Sequence, residues 1–133
     1  MTIEFTVSAV VPASPQTIYD AWLHSHGHTK MTGSPATVTA GIGDSFTAWD
    51  GYISGSNLEL EQDRRIVQSW RGSSYKDSDE DSRIEVILES VDGGTRITLT
   101  HSNVPDDQGS HEPGWTDHYF EPMQKYFGGL KGS

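Results

Sequence analysis

The chain of 133 residues contains no cysteine. That excludes disulfides, thiol nucleophiles and cysteine-based zinc sites, and it fits a cytoplasmic protein. Positive charge is also scarce: 9 Lys and Arg stand against 19 Asp and Glu, for a formal net charge of −10. A chain this acidic repels phosphate backbones, so nucleic acid is not an expected partner. No window approaches the roughly 20 apolar residues that a membrane span needs. The start, Met1-Thr2-Ile3-Glu4-Phe5, lacks the basic region and apolar run of a secretory signal. Catalytic signatures are missing too. No Ser/His/Asp set has a recognisable nucleophile elbow, and no glycine loop leads into a helix to cradle phosphate. Gly93-Gly94 reads as a hairpin tip, and Gly41 to Gly43 leads into a strand. No catalytic residue, metal centre or cofactor is assigned.

What the chain does have is aromatic side chains: four Trp, five Tyr and four Phe, although only 33% of residues are hydrophobic. Each aromatic buries a large area, so one domain spanning residues 1–133 can hold a real core. Ile3 to Val11 alternates apolar and polar positions, which predicts a half-buried strand ended by Pro12. Ser14-Pro15 is a helix start, with Ser14 as N-cap. Ile18, Tyr19, Trp22 and Leu23 predict an amphipathic helix over 15–24, stopped by Gly27. Residues 28–36 read as a loop, and Ala36 to Ala40 as β-prone. Phe46 to Ser54 predicts a strand with a bulge or a close backbone approach at Gly51, followed by a turn at Gly55-Ser56-Asn57. Leu58 to Gln62 and Ile66 to Arg71 predict two further strands, and residues 72–80 a solvated loop. Arg83 to Val91 and Thr95 to Ser102 predict a hairpin closed by Asp92-Gly93-Gly94. Trp115, Tyr119, Met123, Tyr126 and Leu130 recur every three or four residues, which predicts a helix over 113–130 kinked at Pro122.

This order is α+β: a first strand, a short helix, a curved antiparallel sheet of about six to seven strands in all, and a long C-terminal helix. The helix must cover the apolar face of the sheet. A gap between such a sheet and its helix is where a ligand pocket forms.

Ordered pieces of this chain resemble the family of activator-of-heat-shock-protein-90-ATPase homologues, within the START-like (SRPBCC) superfamily and its helix-grip fold. They include Ile18-Tyr19-Asp20-Ala21-Trp22-Leu23, Met31-Thr32-Gly33, Gly43-Asp44-Ser45-Phe46 and Asp50-Gly51-Tyr52-Ile53-Ser54-Gly55. Further along come Arg65-Ile66-Val67-Gln68-Ser69-Trp70-Arg71, Gly94-Thr95, Leu99-Thr100-His101 and Gly114-Trp115. Each piece is weak alone; the ordered set, from about residue 5 to 127, is specific. The resemblance implies a pocket-bearing fold and heat-shock protein 90 as a possible partner. It matches only the C-terminal domain of a full activator, so ATPase stimulation by this chain alone is not expected. Fold does not dictate activity, since members include co-chaperone domains and lipid carriers.

The expected ligand-facing residues are Trp49, Trp70, His101, Trp115, Tyr119 and Met123. They line a pocket for an apolar or aromatic small molecule, or they are plain core packing. His101 is in phase with Ile97 and Leu99, so it faces the apolar side of the sheet. There it contacts a ligand, serves as a general base in a small enzyme, or is a bonded core histidine. His24, His26 and His28 lie close enough to suggest a transition metal, but no carboxylate follows at ligand spacing; the plainer reading is an exposed loop. Asp50 is either a buried carboxylate or turn chemistry before Gly51. Arg64, Arg65 and Arg71 pair with Asp44, Asp63 or a ligand carboxylate, or form surface ion pairs.

Overall fold

The computed structural model describes residues 2–49, 51–72, 75, 78, 80–105, 115 and 119–131. Strand β1 (Thr2–Val11) comes first, then helices α1 (Pro15–Trp22) and α2 (Ser25–Thr32). Strands β2 (Ser45–Ala48), β3 (Ile53–Glu61), β4 (Arg65–Gly72), β5 (Ser82–Val91) and β6 (Gly94–Pro105) follow. Helix α3 (Glu121–Lys131) closes the described chain. Among the described residues the six strands form one antiparallel sheet, ordered β1-β6-β5-β4-β3-β2. Its inner face carries Ile66, Trp70, Ile84, Val86, Leu88, Ile97 and Leu99, all buried. Helix α3 packs on α2 and β1, and α1 packs on β5. The α+β helix-grip architecture read from the sequence is present.

The helical half differs from the expectation in one respect. Residues 28–36 are not a loop throughout, because α2 runs from Ser25 to Thr32. Gly27 does not stop α1; it lies inside α2, where α2 crosses α1. A Cβ on Gly27 would sit 2.7 Å from the Ala21 Cα, so only glycine admits this crossing. The real stop is Gly33, whose left-handed backbone (φ 82°) donates its N–H to Thr29 at 2.8 Å. At α1 the expected cap is in place: the Ser14 Oγ accepts from the Thr17 N–H at 3.2 Å. The sheet is therefore covered by α1 as well as α3, with α2 packed on both helices.

The β2–β3 hairpin turns at residues 49–52, not at Gly55-Ser56-Asn57. Gly51, at φ 88°, lies in that turn, and the Tyr52 N–H donates to the Trp49 carbonyl at 3.1 Å. Gly55 lies within β3, where a Cβ would run into the Ser69 carbonyl. The break expected after Ser54 is instead a shift in β3–β4 register between Asn57 and Glu59. Residues 36–40 contribute only an isolated bridge, Thr37 to Thr47. Tyr75, inside the stretch read as a solvated loop, is buried. The helical turn widens to a π-type turn at Tyr119 and Phe120, just before Pro122, whose ring nitrogen has no hydrogen to donate. Met123 and Phe127 form the inward face of α3, with Tyr126 half-buried at its rim. The side chain of Leu130 lies outside the described residues.

Candidate functional site

Five of the six residues expected to face a ligand meet in one aromatic cluster, with Tyr119 as its hub. The Tyr119 ring centroid lies 4.9 Å from Trp115, 5.1 Å from Trp22, 5.9 Å from Trp49 and 6.1 Å from Trp70. Trp115 in turn lies 4.9 Å from Trp70 and 5.7 Å from His101. Met123 is buried within the same apolar core. Aromatic neighbours at roughly 4.5–7 Å are in van der Waals contact, so no gap of ligand size separates these rings. All are buried except Trp49, which is half-buried.

His101 is held on both ring nitrogens. The Trp115 indole donates to its Nδ1 at 3.2 Å. Nδ1 therefore accepts, and the proton sits on Nε2, which donates to the Ser82 Oγ at 2.8 Å. The Ser82 hydroxyl donates a hydrogen bond to the Trp70 carbonyl at 2.5 Å and lies 3.1 Å from the Tyr75 hydroxyl. A general base needs a nitrogen open to substrate. In this arrangement His101 serves instead as a joint between the sheet and Trp115.

His28 is the site residue that sequence reasoning missed. It is buried, not in an exposed loop; His24 and His26 are exposed. His28 Nδ1 donates to the Trp22 carbonyl at 2.9 Å, because a carbonyl can only accept. Nε2 then accepts from the Tyr119 hydroxyl at 2.8 Å. The Trp49 ring meets Tyr119 edge-on. Burial holds His28 below the usual imidazole range, against the opposing pull of the Trp22 carbonyl. Burial likewise pushes the Tyr119 hydroxyl well above the usual phenol range, partly offset by Trp49. Both groups are therefore neutral near pH 7. A signal for His28 was present: His28, Met31 and Thr32 fall at helical spacing, and all three are buried.

A second missed chain runs across β4. The Trp22 indole donates to Gln68 Oε1 at 3.1 Å, and Gln68 Nε2 donates to Asn57 Oδ1 at 2.9 Å. Asn57 Nδ2 donates to the carbonyls of Thr39 and Gly41, at 2.7 and 2.9 Å. Period two on β4 places Gln68 between Ile66 and Trp70 on the inner face. Among the described residues the one buried side-chain polar atom without a partner is Asp63 Oδ1, at the β3–β4 turn and outside this network. Arg64, Arg65 and Arg71 pair with Glu61, with Glu59, Glu61 and Glu85, and with Asp81, rather than with Asp44 or Asp63. Asp50 lies outside the described residues. Among the described residues, no group of three or more His, Cys, Asp or Glu could hold a metal ion, and no helix is long and apolar enough to cross a membrane.

The family model for "Activator of Hsp90 ATPase homolog 1-like protein" matches residues 12–128. The chain belongs to this family. The human activator of 90 kDa heat shock protein ATPase homolog 1 is 26% identical over 128 residues, covering 96% of this chain and 38% of the human protein. The chain thus spans well under half the length of that relative. An HSP90 activator from Plasmodium falciparum has a crystal structure that superposes with a TM-score of 0.80 at 25% identity, covering 96% of both chains. The Aha1 dimer from Colwellia psychrerythraea has the same fold, with a TM-score of 0.76 at 19% identity over 93% of this chain and 96% of that one.

Proposed function

We propose that this chain is a co-chaperone-like module that binds heat-shock protein 90. One observation carries the reading: the chain aligns over 96% of its length, and 96% of the other, with a Plasmodium falciparum chain described as an HSP90 activator. The close packing of rings around Tyr119 fits this reading, because rings in mutual contact suit a rigid scaffold that presents its outer surface to a partner. A cytoplasmic setting goes with it. The test is capture of heat-shock protein 90 from the native host by the immobilised chain, followed by an ATPase assay. Saturable binding is expected, and absence of the chaperone from the bound fraction overturns the proposal. The ATPase assay then separates a domain that only binds from one that stimulates.

A second reading is a binding protein for an apolar or aromatic small molecule. It is favoured by the convergence of Trp49, Trp70, His101, Trp115 and Tyr119 on one cluster that contains hydrogen-bonding groups. A ligand would have to part rings already in contact. Titration of lipids and aromatic compounds, followed by the Trp70 and Trp115 indole NMR signals, tests it; unmoved signals with every class overturn it. The enzyme reading has no support in the geometry of His101, whose two nitrogens are both engaged.

A further inference from the structure

Among the described residues the exposed large apolar side chains are Val10, Ile42, Tyr52 and Leu58. Ile42 is the most exposed of them, at 68%, and stands at the second position of a tight turn over 41–44. The Asp44 N–H closes that turn on the Gly41 carbonyl at 3.1 Å, and Gly43 takes φ 86° at the third position, as a type II turn requires. The turn needs glycine at 43 but makes no demand for an apolar side chain at 42. One buried residue, Asn57, fastens the whole segment to the sheet. Its backbone carbonyl accepts from the Gly43 N–H at 2.8 Å, and its N–H donates to the Asp44 carbonyl at 3.0 Å. Its side-chain amide donates to the Thr39 and Gly41 carbonyls. The Thr39 hydroxyl closes the loop on the Asp44 carboxylate at 2.7 Å. Leu58, 42% exposed, is the extra residue where the β3–β4 register shifts between Asn57 and Glu59. The Gly43–Asn57 bond joins the Ile42–Gly43 peptide to the Asn57–Leu58 peptide, so Ile42 and Leu58 flank a single hydrogen bond.

A loop already fastened to a buried side chain has little freedom left to lose on binding, so an apolar tip on it can bury area at low entropic cost. Scattered exposed apolar residues are ordinary. Two that flank one hydrogen bond, on an immobilised turn and a bulge, make an anchor of the kind that dominates interfaces. The side chains next to them in sequence are acidic. Asp44 is exposed on the loop, and Glu59 follows Leu58 with its side chain 56% exposed, in a chain of formal net charge −10. We propose that Ile42 and Leu58 anchor this chain on heat-shock protein 90, in an apolar pocket with a basic rim. Charge selects that occupant over a second copy of the chain. A second copy brings the same net negative charge and repels, whereas a basic rim attracts. The proposal rests on the co-chaperone reading and narrows it to one corner of the molecule, where the 39–44 loop meets the β3 bulge.

The test is titration of the full chain and three variants against purified heat-shock protein 90 from the same host. Ile42→Ser and Leu58→Ser should each weaken binding by about tenfold or more. Val10→Ser is the control, because Val10 is as exposed as Leu58 but lies on β1, at the opposite edge of the sheet. It should stay within about twofold of the parent. Urea unfolding shows that each variant is folded, and Ile42→Ser decides alone if Leu58→Ser is not. Raising the salt from about 0.05 to 0.5 M should weaken parent binding by roughly threefold or more. Equal affinity of the parent and Ile42→Ser overturns the anchor while leaving the co-chaperone reading standing, as does an equal loss in Val10→Ser. Binding indifferent to salt overturns the basic rim. Sedimentation of the chain alone tests the other occupant: a dimer that Ile42→Ser breaks would assign the tip to a second copy and overturn the proposal. No binding by the parent overturns the anchor and the co-chaperone reading together.

Discussion

The two faces of the sheet solve the same problem in opposite ways. On the inner face, polar atoms are buried and joined in short chains: Trp115–His101–Ser82, Tyr119–His28–Trp22 carbonyl and Trp22–Gln68–Asn57. On the outer face, polar atoms are charged and half-exposed. Arg65 reaches Glu85 at 2.7 Å, Glu59 at 2.8 Å and Glu61 at 3.3 Å, and Arg96 reaches Glu89 at 3.1 Å. Arg65 accordingly holds the Glu59 carboxyl below the usual carboxylate range. A buried donor that loses its partner cannot turn to water, whereas a surface ion can. The inner bonds should therefore govern stability, and the outer pairs should be nearly dispensable one at a time.

The largest test of that contrast is Trp115→Ala. It opens a cavity between Trp70 and Tyr119 and strips His101 Nδ1 of its donor, so urea unfolding should show a loss of about 3–5 kcal/mol. A loss below about 1 kcal/mol would mean that the cluster collapses freely. Gln68→Ala leaves the Trp22 indole and Asn57 Oδ1 unpartnered at once and should cost about 1–3 kcal/mol per orphaned group. A smaller loss would show that water reaches β4.

Acid should act through His28. Its folded pKa is lowered, so below about pH 6.5, the ordinary imidazole value, the unfolded chain takes up a proton that the folded chain refuses. Stability is then fully present above that pH and falls as the pH drops, until the folded imidazole also titrates. The slope from this one group is at most about 1.4 kcal/mol per pH unit. The difference in unfolding free energy between the parent and His28→Gln, followed from pH 7.5 to pH 5, isolates it; a constant difference would contradict the buried neutral state. Smallest of all, Glu89→Gln on the outer face should change stability by less than about 0.5 kcal/mol, less still in high salt.

The sheet was largely legible in the sequence. Period two placed β1 and β6 and put His101 on the inner face, and Asp92-Gly93 marked the β5–β6 turn. What failed was punctuation by glycine. In sequence Gly27 reads as a stop and Gly51 as a bulge or a close backbone approach, yet Gly27 admits a helix crossing and Gly51 lies in the turn. A glycine reports that something comes close or that φ is positive; which of the two depends on a neighbour distant in sequence. Helix α2, Ser-His-Gly-His-Thr-Lys-Met-Thr, has weak intrinsic propensity and forms because His28 and Met31 are buried. The site residues were legible as aromatics but not as a network. Hydrogen bonds such as His28 to Tyr119, 91 positions apart, exist only once the fold brings α2 and the C-terminal segment together.

The contrast between faces also bears on function. If the interior is scaffold and the exterior meets the partner, interior changes that leave the chain folded should leave binding intact. The direct measurement is calorimetric titration of the full chain, and of folded Gln68→Ala, against purified heat-shock protein 90 from the same host. Saturable binding with equal affinity for both forms is predicted. No binding by the parent chain would contradict the account.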